Sequence, residues 1–289
     1  MKFAFIGGDK RICSLASAMY KDEFEISCFA LENAPCFEGQ NCSLTLDCCV
    51  KNADCIVLPL PILNTQGTLN APLSNASYDI EPIIRSLPKT AVVCGGKPDA
   101  DTLRLINECG LDFVDYFARE ELVALNALAT AEGALSLILR NSPLTVWDSK
   151  VLIIGFGRIG KMLAERLRAL GAHVTVSARK AGDMSYIRAL GCEALDTRTL
   201  GEELRRFDTI VNTVPADVLG KARLPFVRRE TLCLDLASRP GGIDFEAAKQ
   251  LDLNVIWALG LPAETAPETA GRIISDTVLS IMREKRGDI

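Results

Sequence analysis

The chain has one histidine in 289 residues, no Cys-x-x-Cys pair among its eleven cysteines and no excess of positive charge. Each shortage removes a class of function. A net charge of -5 gives no general attraction to nucleic acid or to an anionic membrane surface. The cysteines are odd in number, and Cys28, Cys55, Cys94 and Cys109 sit in or beside apolar runs. They therefore read as reduced structural thiols, with no metal site among them. The apolar start MKFAFIGG is too short for a secretory core, and no run is expected to span a membrane, so the expected location is the cytoplasm. There are no internal repeats or low-complexity segments. With 48% hydrophobic and 24% charged residues, the composition is that of an ordinary globular protein, long enough for two domains.

What is present centres on VLIIGFGRIGKMLAERLRALGAHVTVSAR, Val151 to Arg179. An apolar β-branched run predicts a strand buried on both faces, and Gly155, Gly157 and Gly160 follow at once at GxGxxG spacing. The first glycine allows the tight turn, the second lets a pyrophosphate approach the backbone, and the third brings helix and strand together. Arg158 and Ile159 open a helix whose Ile159, Leu163, Leu167 and Leu170 share one face, with its positive dipole end toward the phosphates. A second strand from His173 to Ser177 completes a Rossmann β-α-β unit. An NAD site usually carries Asp or Glu at the end of that strand; here stand Ser177, Ala178, Arg179 and Lys180. Arg179 offers a fork to a 2′-phosphate and Ser177 a hydroxyl, so the expected cofactor is NADP.

Before this unit, strands are expected at Lys2–Ile6, Glu25–Phe29, Cys55–Leu58 and Ala91–Cys94, with turns GGDKR, LPLP and GGKP after the first, third and fourth. The turn Gly7 to Arg11 looks like a degenerate or repurposed nucleotide turn, and Lys97 is a cation on the same expected rim. Thr65 to Ser77 reads as an irregular surface loop. Asp115 to Arg140 reads as a turn and a long apolar helix bridging the domains, with Arg119, Asn126, Thr130 and Glu132 as polar positions along or just before it. Later strands end in NTVP (Asn212, Thr213, Val214, Pro215), in DLASRPGG with Ser238 and Arg239, and in LGLP, along the edge where a nicotinamide ring should lie. PETAG then opens a last helix of about Arg272 to Glu284.

The expected fold class is thus α/β: two doubly wound parallel-sheet domains joined by a long helix, with a C-terminal helix returning to the first. The boundaries are 1–120 for an N-terminal substrate domain, 121–143 for the linking helix, 144–265 for the NADP domain and 266–289 for the last helix. His173 falls at the start of the second Rossmann strand, on the adenosine side and remote from hydride transfer. Hydroxy-acid dehydrogenases usually need an imidazole to take the alcohol proton. A substrate that loses an acidic ring proton, or hands it to a carboxylate or water, fits better.

The blocks IGGDKR, AREELVALNALATAEG, GFGRIGK, NTVP, DLASRPGGIDF and GLPAETAPETAG together resemble the A-subunit family of dipicolinate synthase, over nearly the whole chain. The resemblance implies a two-domain NADP-binding protein of the mother cell in sporulating bacteria. It would act with the flavoprotein-like B-subunit of dipicolinate synthase on a dihydrodipicolinate-type intermediate to give pyridine-2,6-dicarboxylate. Aromatisation favours loss of a hydride and a proton, so a modest base is enough, and Glu132 is the candidate. Arg119, Arg239 and Lys97 are candidate clamps for the two carboxylates, and Ser238 and Thr269 candidate hydroxyl donors. A homodimer is left open. Two alternatives stand beside this reading: a general amino- or hydroxy-acid dehydrogenase, and a non-catalytic or regulatory protein that binds NADP.

Overall fold

The structure, a computed structural model, describes residues 1–34 and 45–287. Cys36 and Cys42 lie outside them; the nine described cysteines are free thiols. Among the described residues the chain forms two compact units, Met1–Asn126 with Ala266–Ile289, and Ala127–Thr265.

The first unit carries β1 (Lys2–Ile6), α1 (Lys10–Lys21), β2 (Glu25–Phe29), α2 (Leu46–Val50), β3 (Cys55–Val57), α3 (Ile80–Ser86), β4 (Val92–Gly95), α4 (Ala100–Glu108) and β5 (Asp112–Asp115). Its strands are parallel in the order β2-β1-β3-β4-β5, a doubly wound sheet whose order reverses between β1 and β3. Alternation sends Phe3 and Phe5 to one face, with Leu15 and Met19, and Ala4 and Ile6 to the other, with Ile83, Ile84 and Ile106. Between β4 and α4, Lys97 has a positive φ of 55°.

A single turn of 3-10 helix (Tyr116–Ala118) leads into α5 (Glu120–Asn141), which joins the units. By length and composition α5 could cross a membrane, which corrects the expectation that no segment could. The mean hydropathy of its 18-residue window reflects a run of Leu and Ala, and 44% of that window is buried within the protein. Leu122, Ala127, Ala131, Ala134 and Ile138 form buried faces, as expected of a core helix.

The second unit carries β6 (Lys150–Ile154), α6 (Arg158–Ala169), β7 (His173–Ala178), α7 (Ala181–Ala189), β8 (Glu193–Asp196), β9 (Thr209–Asn212), β10 (Leu232–Asp235), α8 (Phe245–Gln250), β11 (Asn254–Trp257) and α9 (Leu261–Thr265). The parallel order is β11-β10-β9-β6-β7-β8, reversing between β6 and β9. This is the dinucleotide-binding arrangement, and ligands of such sheets sit beyond the carboxyl ends of the strands at the reversal. Val151 and Ile153 pack with Leu163 and Leu167 of α6, and Leu152 and Ile154 pack on the opposite face with Leu204, Phe207 and Leu219. Each such fully buried side chain contributes about 1.5–3 kcal/mol.

The last helix, α10 (Pro267–Arg286), starts five residues before the expected Arg272. Pro267 supplies the preset φ of a first helical position and Glu268 the favourable charge of a first turn, so the PETAG run is helix and not its lead-in. Ile274, Val278, Ile281 and Met282 make a stripe that packs in the core of the first unit. Contact with α1 is close at Gly271, where a Cβ would lie 2.5 Å from the Arg11 carbonyl oxygen. A bulky residue there would push α10 off α1.

Candidate nucleotide site

Three glycines shape the turn after β6, each for a separate reason. Gly155 has φ +102°, a region L side chains rarely adopt, and a Cβ on it would meet Thr213 Oγ1 at 2.5 Å. At Gly160 a Cβ would fall 2.2 Å from the Gly155 carbonyl oxygen, so only glycine lets α6 lie this close to the strand. Gly157 is the N-cap of α6, and among the described residues no side chain caps it and nothing lies within 4 Å of where its Cβ would be. Among the described residues no side chain caps the first turn of α6, the condition a helix N-terminus needs to receive a phosphate.

A cavity of about 410 Å³ opens beside this turn. Gly155 and Gly157 line it, with Ser177, Arg179 and Lys180 from the end of β7, Thr197 and Arg198 from the end of β8, and Val214, Asp217 and Arg223 after β9. Four of its lining side chains are cationic, against two carboxylates, Asp183 and Asp217. No acid stands at positions 177–180, where a ribose 2′-hydroxyl would need one.

Two expected ligands have other work. The Ser177 side chain is fully buried, and its Oγ accepts a 3.0 Å bond from the Thr197 hydroxyl, strapping β7 to the turn after β8. Asn212 is equally buried: its amide donates to Asp235 Oδ1 (2.8 Å) and the Val214 carbonyl (3.0 Å), and its Oδ1 accepts from the Val214 N–H. These side chains hold the strand ends in place; Ser177 also lines the cavity, while Asn212 is outside its lining. Thr213 closes on the glycine turn by donating to the Ile154 carbonyl (2.9 Å), while Pro215 is exposed and outside the cavity lining.

Asp235, at the end of β10, is wholly buried and fully satisfied. Besides Asn212 it accepts from the backbone N–H groups of Ala237, Gly242 and Ile243, at 3.1, 2.8 and 3.2 Å. Burying a charge is costly unless hydrogen bonds compensate it. Here they also pin the turn that carries Ser238 and Arg239. The Arg239 guanidinium lies over the Trp257 ring at 5.3 Å, and Trp257 Nε1 donates to the Ala237 carbonyl, so the arginine sits on an anchored aromatic shelf.

The remaining candidates are placed as follows. Glu132, on α5 in the second unit, is mostly exposed and pairs with Arg166 at 3.3 Å. In the first unit Lys97 donates its backbone N–H to Asp115, and its side chain is exposed. Arg119 does not stand free as a clamp: its guanidinium is bonded to both oxygens of Glu284 and to Glu121. Those bonds raise its pKa and hold both carboxylates below their usual range, which makes the arginine a tie between the start of α5 and α10. His173 is exposed at the amino end of β7, the edge opposite the glycine turn, and its Nε2 contacts Asp148 at 2.8 Å. No cluster of three or more metal-ligating side chains occurs among the described residues.

Reading the sequence missed Thr197, Arg198, Asp217 and Arg223. The first two follow β8, a strand whose EALD carries no hydrophobic period; a third strand at Rossmann spacing after β7 was the available signal.

The first unit has its own glycine turn, built differently. Asp9 is the N-cap of α1 and accepts from the Arg11 N–H (3.0 Å), while the buried Arg11 guanidinium pairs with the same carboxylate at 2.8 Å and donates to the Leu60 carbonyl. A Cβ on Gly7 would touch Leu69, and one on Gly8 would touch Ile12. The helix end is closed by the protein's own acid.

Residues 2–117 match the family model of the N-terminal domain of the dipicolinate synthase A-subunit. Residues 118–223 match that of the NAD-binding domain of D-isomer specific 2-hydroxyacid dehydrogenases. The dipicolinate synthase A-subunit of Bacillus subtilis (strain 168) is 29% identical over 287 residues, 98% of this chain and 96% of that protein. The crystal structure of the dipicolinate synthase A-subunit from Bacillus halodurans superposes with a TM-score of 0.89 at 29% identity, over 97% of each chain. Its counterpart from Bacillus subtilis, also a crystal structure, gives 0.85 at 28%, over 98% of this chain and 96% of its own. The first unit thus matches a dipicolinate synthase A-subunit domain and the second a dehydrogenase-type nicotinamide-nucleotide domain, and over nearly its whole length the chain is similar to the A-subunit of dipicolinate synthase.

Proposed function

We propose that this protein binds NADP and, with the flavoprotein-like B-subunit of dipicolinate synthase, oxidises a dihydrodipicolinate-type intermediate to pyridine-2,6-dicarboxylate in the cytoplasm of a sporulating mother cell. The observation that carries the reading is the open, uncapped glycine turn beside Arg179 and Lys180, with no acid at the end of β7. A 2′-phosphate suits that arrangement and a carboxylate there would repel it. The pyrophosphate would rest on the N–H groups at Gly157, Arg158 and Ile159. When bound, NADP accepts the hydride that leaves the dihydropyridine ring.

What falls to the chain is orientation and one proton. Arg239, lying over the Trp257 ring, would present its fork to a substrate carboxylate, and Ser238 in the same pinned turn would add a hydroxyl donor. Lys97 is a separate candidate cation in the first unit. Glu132 is the candidate acceptor for the ring proton, a modest base sufficing because the product is aromatic. A general hydroxy-acid dehydrogenase is the weaker reading, since His173 lies at the amino edge of the sheet and is held by Asp148.

The test is formation of dipicolinate, followed by its ultraviolet absorbance, from the fresh product of dihydrodipicolinate synthase with NADP, using the two proteins separately and together. Arg239→Met is expected to lower the rate by tens to hundreds of times, about 2–3 kcal/mol for one charged hydrogen bond, with NADP affinity intact. Failure of the pair to make dipicolinate, with ready oxidation of a simple hydroxy or amino acid, would overturn the proposal.

A further inference from the structure

We propose that Arg198 is a second cation of the subsite that takes the 2′-phosphate, set there by Asp196, so that cofactor choice is read from the ends of two strands. This deepens the NADP reading and rests on it. In the parallel β7/β8 pair, Ser177 stands opposite Leu195 and Ala178 opposite Asp196. The residues that follow, Arg179 with Lys180 and Thr197 with Arg198, therefore leave the sheet side by side, and all four line the same cavity.

The turn carrying Arg198 is fixed at three points. The Thr197 hydroxyl bonds to buried Ser177. The Arg198 N–H is capped by Asp196 Oδ1 at 2.9 Å, and the Arg198 carbonyl accepts from Arg223 Nη2 at 3.1 Å. Arg223 is itself held, through Nη1, by the Val218 carbonyl.

Asp196 is the acid that this corner of an NAD site could have used, and it is occupied. Arg198 Nε donates to both its oxygens (3.0 and 3.1 Å) and Nη2 donates to Oδ2 (2.6 Å). A guanidinium that spends its Nε–Nη2 edge on a carboxylate keeps the Nη1–Nη2 edge for another planar or tetrahedral anion. Two effects follow from one pair: the carboxylate is screened from an incoming phosphate, and the guanidinium is prevented from swinging away. Removing Arg198 would both delete a donor and bare an acid beside the phosphate.

The probes are 2′,5′-ADP and 5′-ADP, titrated calorimetrically into the full chain. Native protein should prefer 2′,5′-ADP by tenfold or more. Arg198→Gln should lose at least tenfold in affinity for 2′,5′-ADP while 5′-ADP stays within twofold, and Arg198→Lys should recover part of the loss. If Arg198→Gln keeps the native preference while Arg179→Gln abolishes it, the inference fails and the NADP reading stands. A native chain with no preference overturns both. Equal loss of the two ligands in Arg198→Gln, with folding intact by circular dichroism, also counts against it, because the residue would then support the cavity as a whole.

Discussion

Each unit holds a strand, glycine turn and helix in series, and the two differ at the helix cap: Asp9 in α1, Gly157 in α6. In the first unit the carboxylate fills the place where a phosphate would sit and is locked there by buried Arg11. In the second no described side chain caps the helix, and the cationic cavity lies beside it. A glycine-rich turn is therefore a nucleotide site only if the protein leaves the helix end uncapped; a self-capped turn of the same outline is a structural joint.

Installing the first unit's cap in the second gives the largest expected effect. Gly157→Asp should fold, since φ -81° and ψ -166° suit any residue and the Cβ meets no described residue. The new acid should cap α6, leaving the melting temperature unchanged or slightly raised. It should repel a dinucleotide, with affinity falling by roughly a hundredfold or more in a fluorescence titration with NADPH. Retained affinity would mean that the helix end is not where phosphate binds.

The reverse change tests the joint. Asp9→Ala removes the cap and leaves the buried guanidinium with the Leu60 backbone carbonyl as its remaining described partner. Stability by chemical denaturation should fall by about 2 kcal/mol, between the cost of a lost cap and that of an orphaned buried charge. NADP affinity should not change, and no second nucleotide should bind.

A smaller effect comes from pH. Hydrogen bonds from Arg198 lower the pKa of Asp196 to about 2. Because its folded value is depressed, the stability from this pair is complete above the unfolded value near 4 and is lost only as pH falls toward 2. Between pH 7.5 and 5 the protein side thus stays charged while a 2′-phosphate takes up a proton near pH 6. Preference for NADP+ over NAD+ should shrink over that range by at most about tenfold, and a preference that vanished already at pH 7 would point to a protein group instead. The smallest effect is expected at His173: His173→Gln should leave cofactor affinity and turnover within about twofold in steady-state assays.

Where residue type and period coincide, the fold can be read from the chain. The apolar run before Gly155, the three glycines and the Ile159–Leu163–Leu167 stripe lead to β6 and α6 without ambiguity. Side-chain direction at strand ends cannot be read this way. Ser177 and Asn212 carry the right groups for a ligand, yet both are buried, and each is engaged by a neighbour that sequence spacing does not reveal. Asp235 shows the same limit: three of its four donors are backbone N–H groups, invisible in a string of side chains. β8 escaped notice because its four residues are half-exposed, and Arg198 was lost with it. Arg119 looked like a free cation until α10, more than a hundred residues later, supplied Glu284.

The central claim, that the open turn and its arginines form an NADP site, is tested most directly by titrating the native chain in parallel with NADP+ and NAD+ at pH 7.5 in a calorimeter. A Kd for NADP+ at least tenfold below that for NAD+, at one site per chain, is the predicted result; equal affinities, or tighter binding of NAD+, would contradict it.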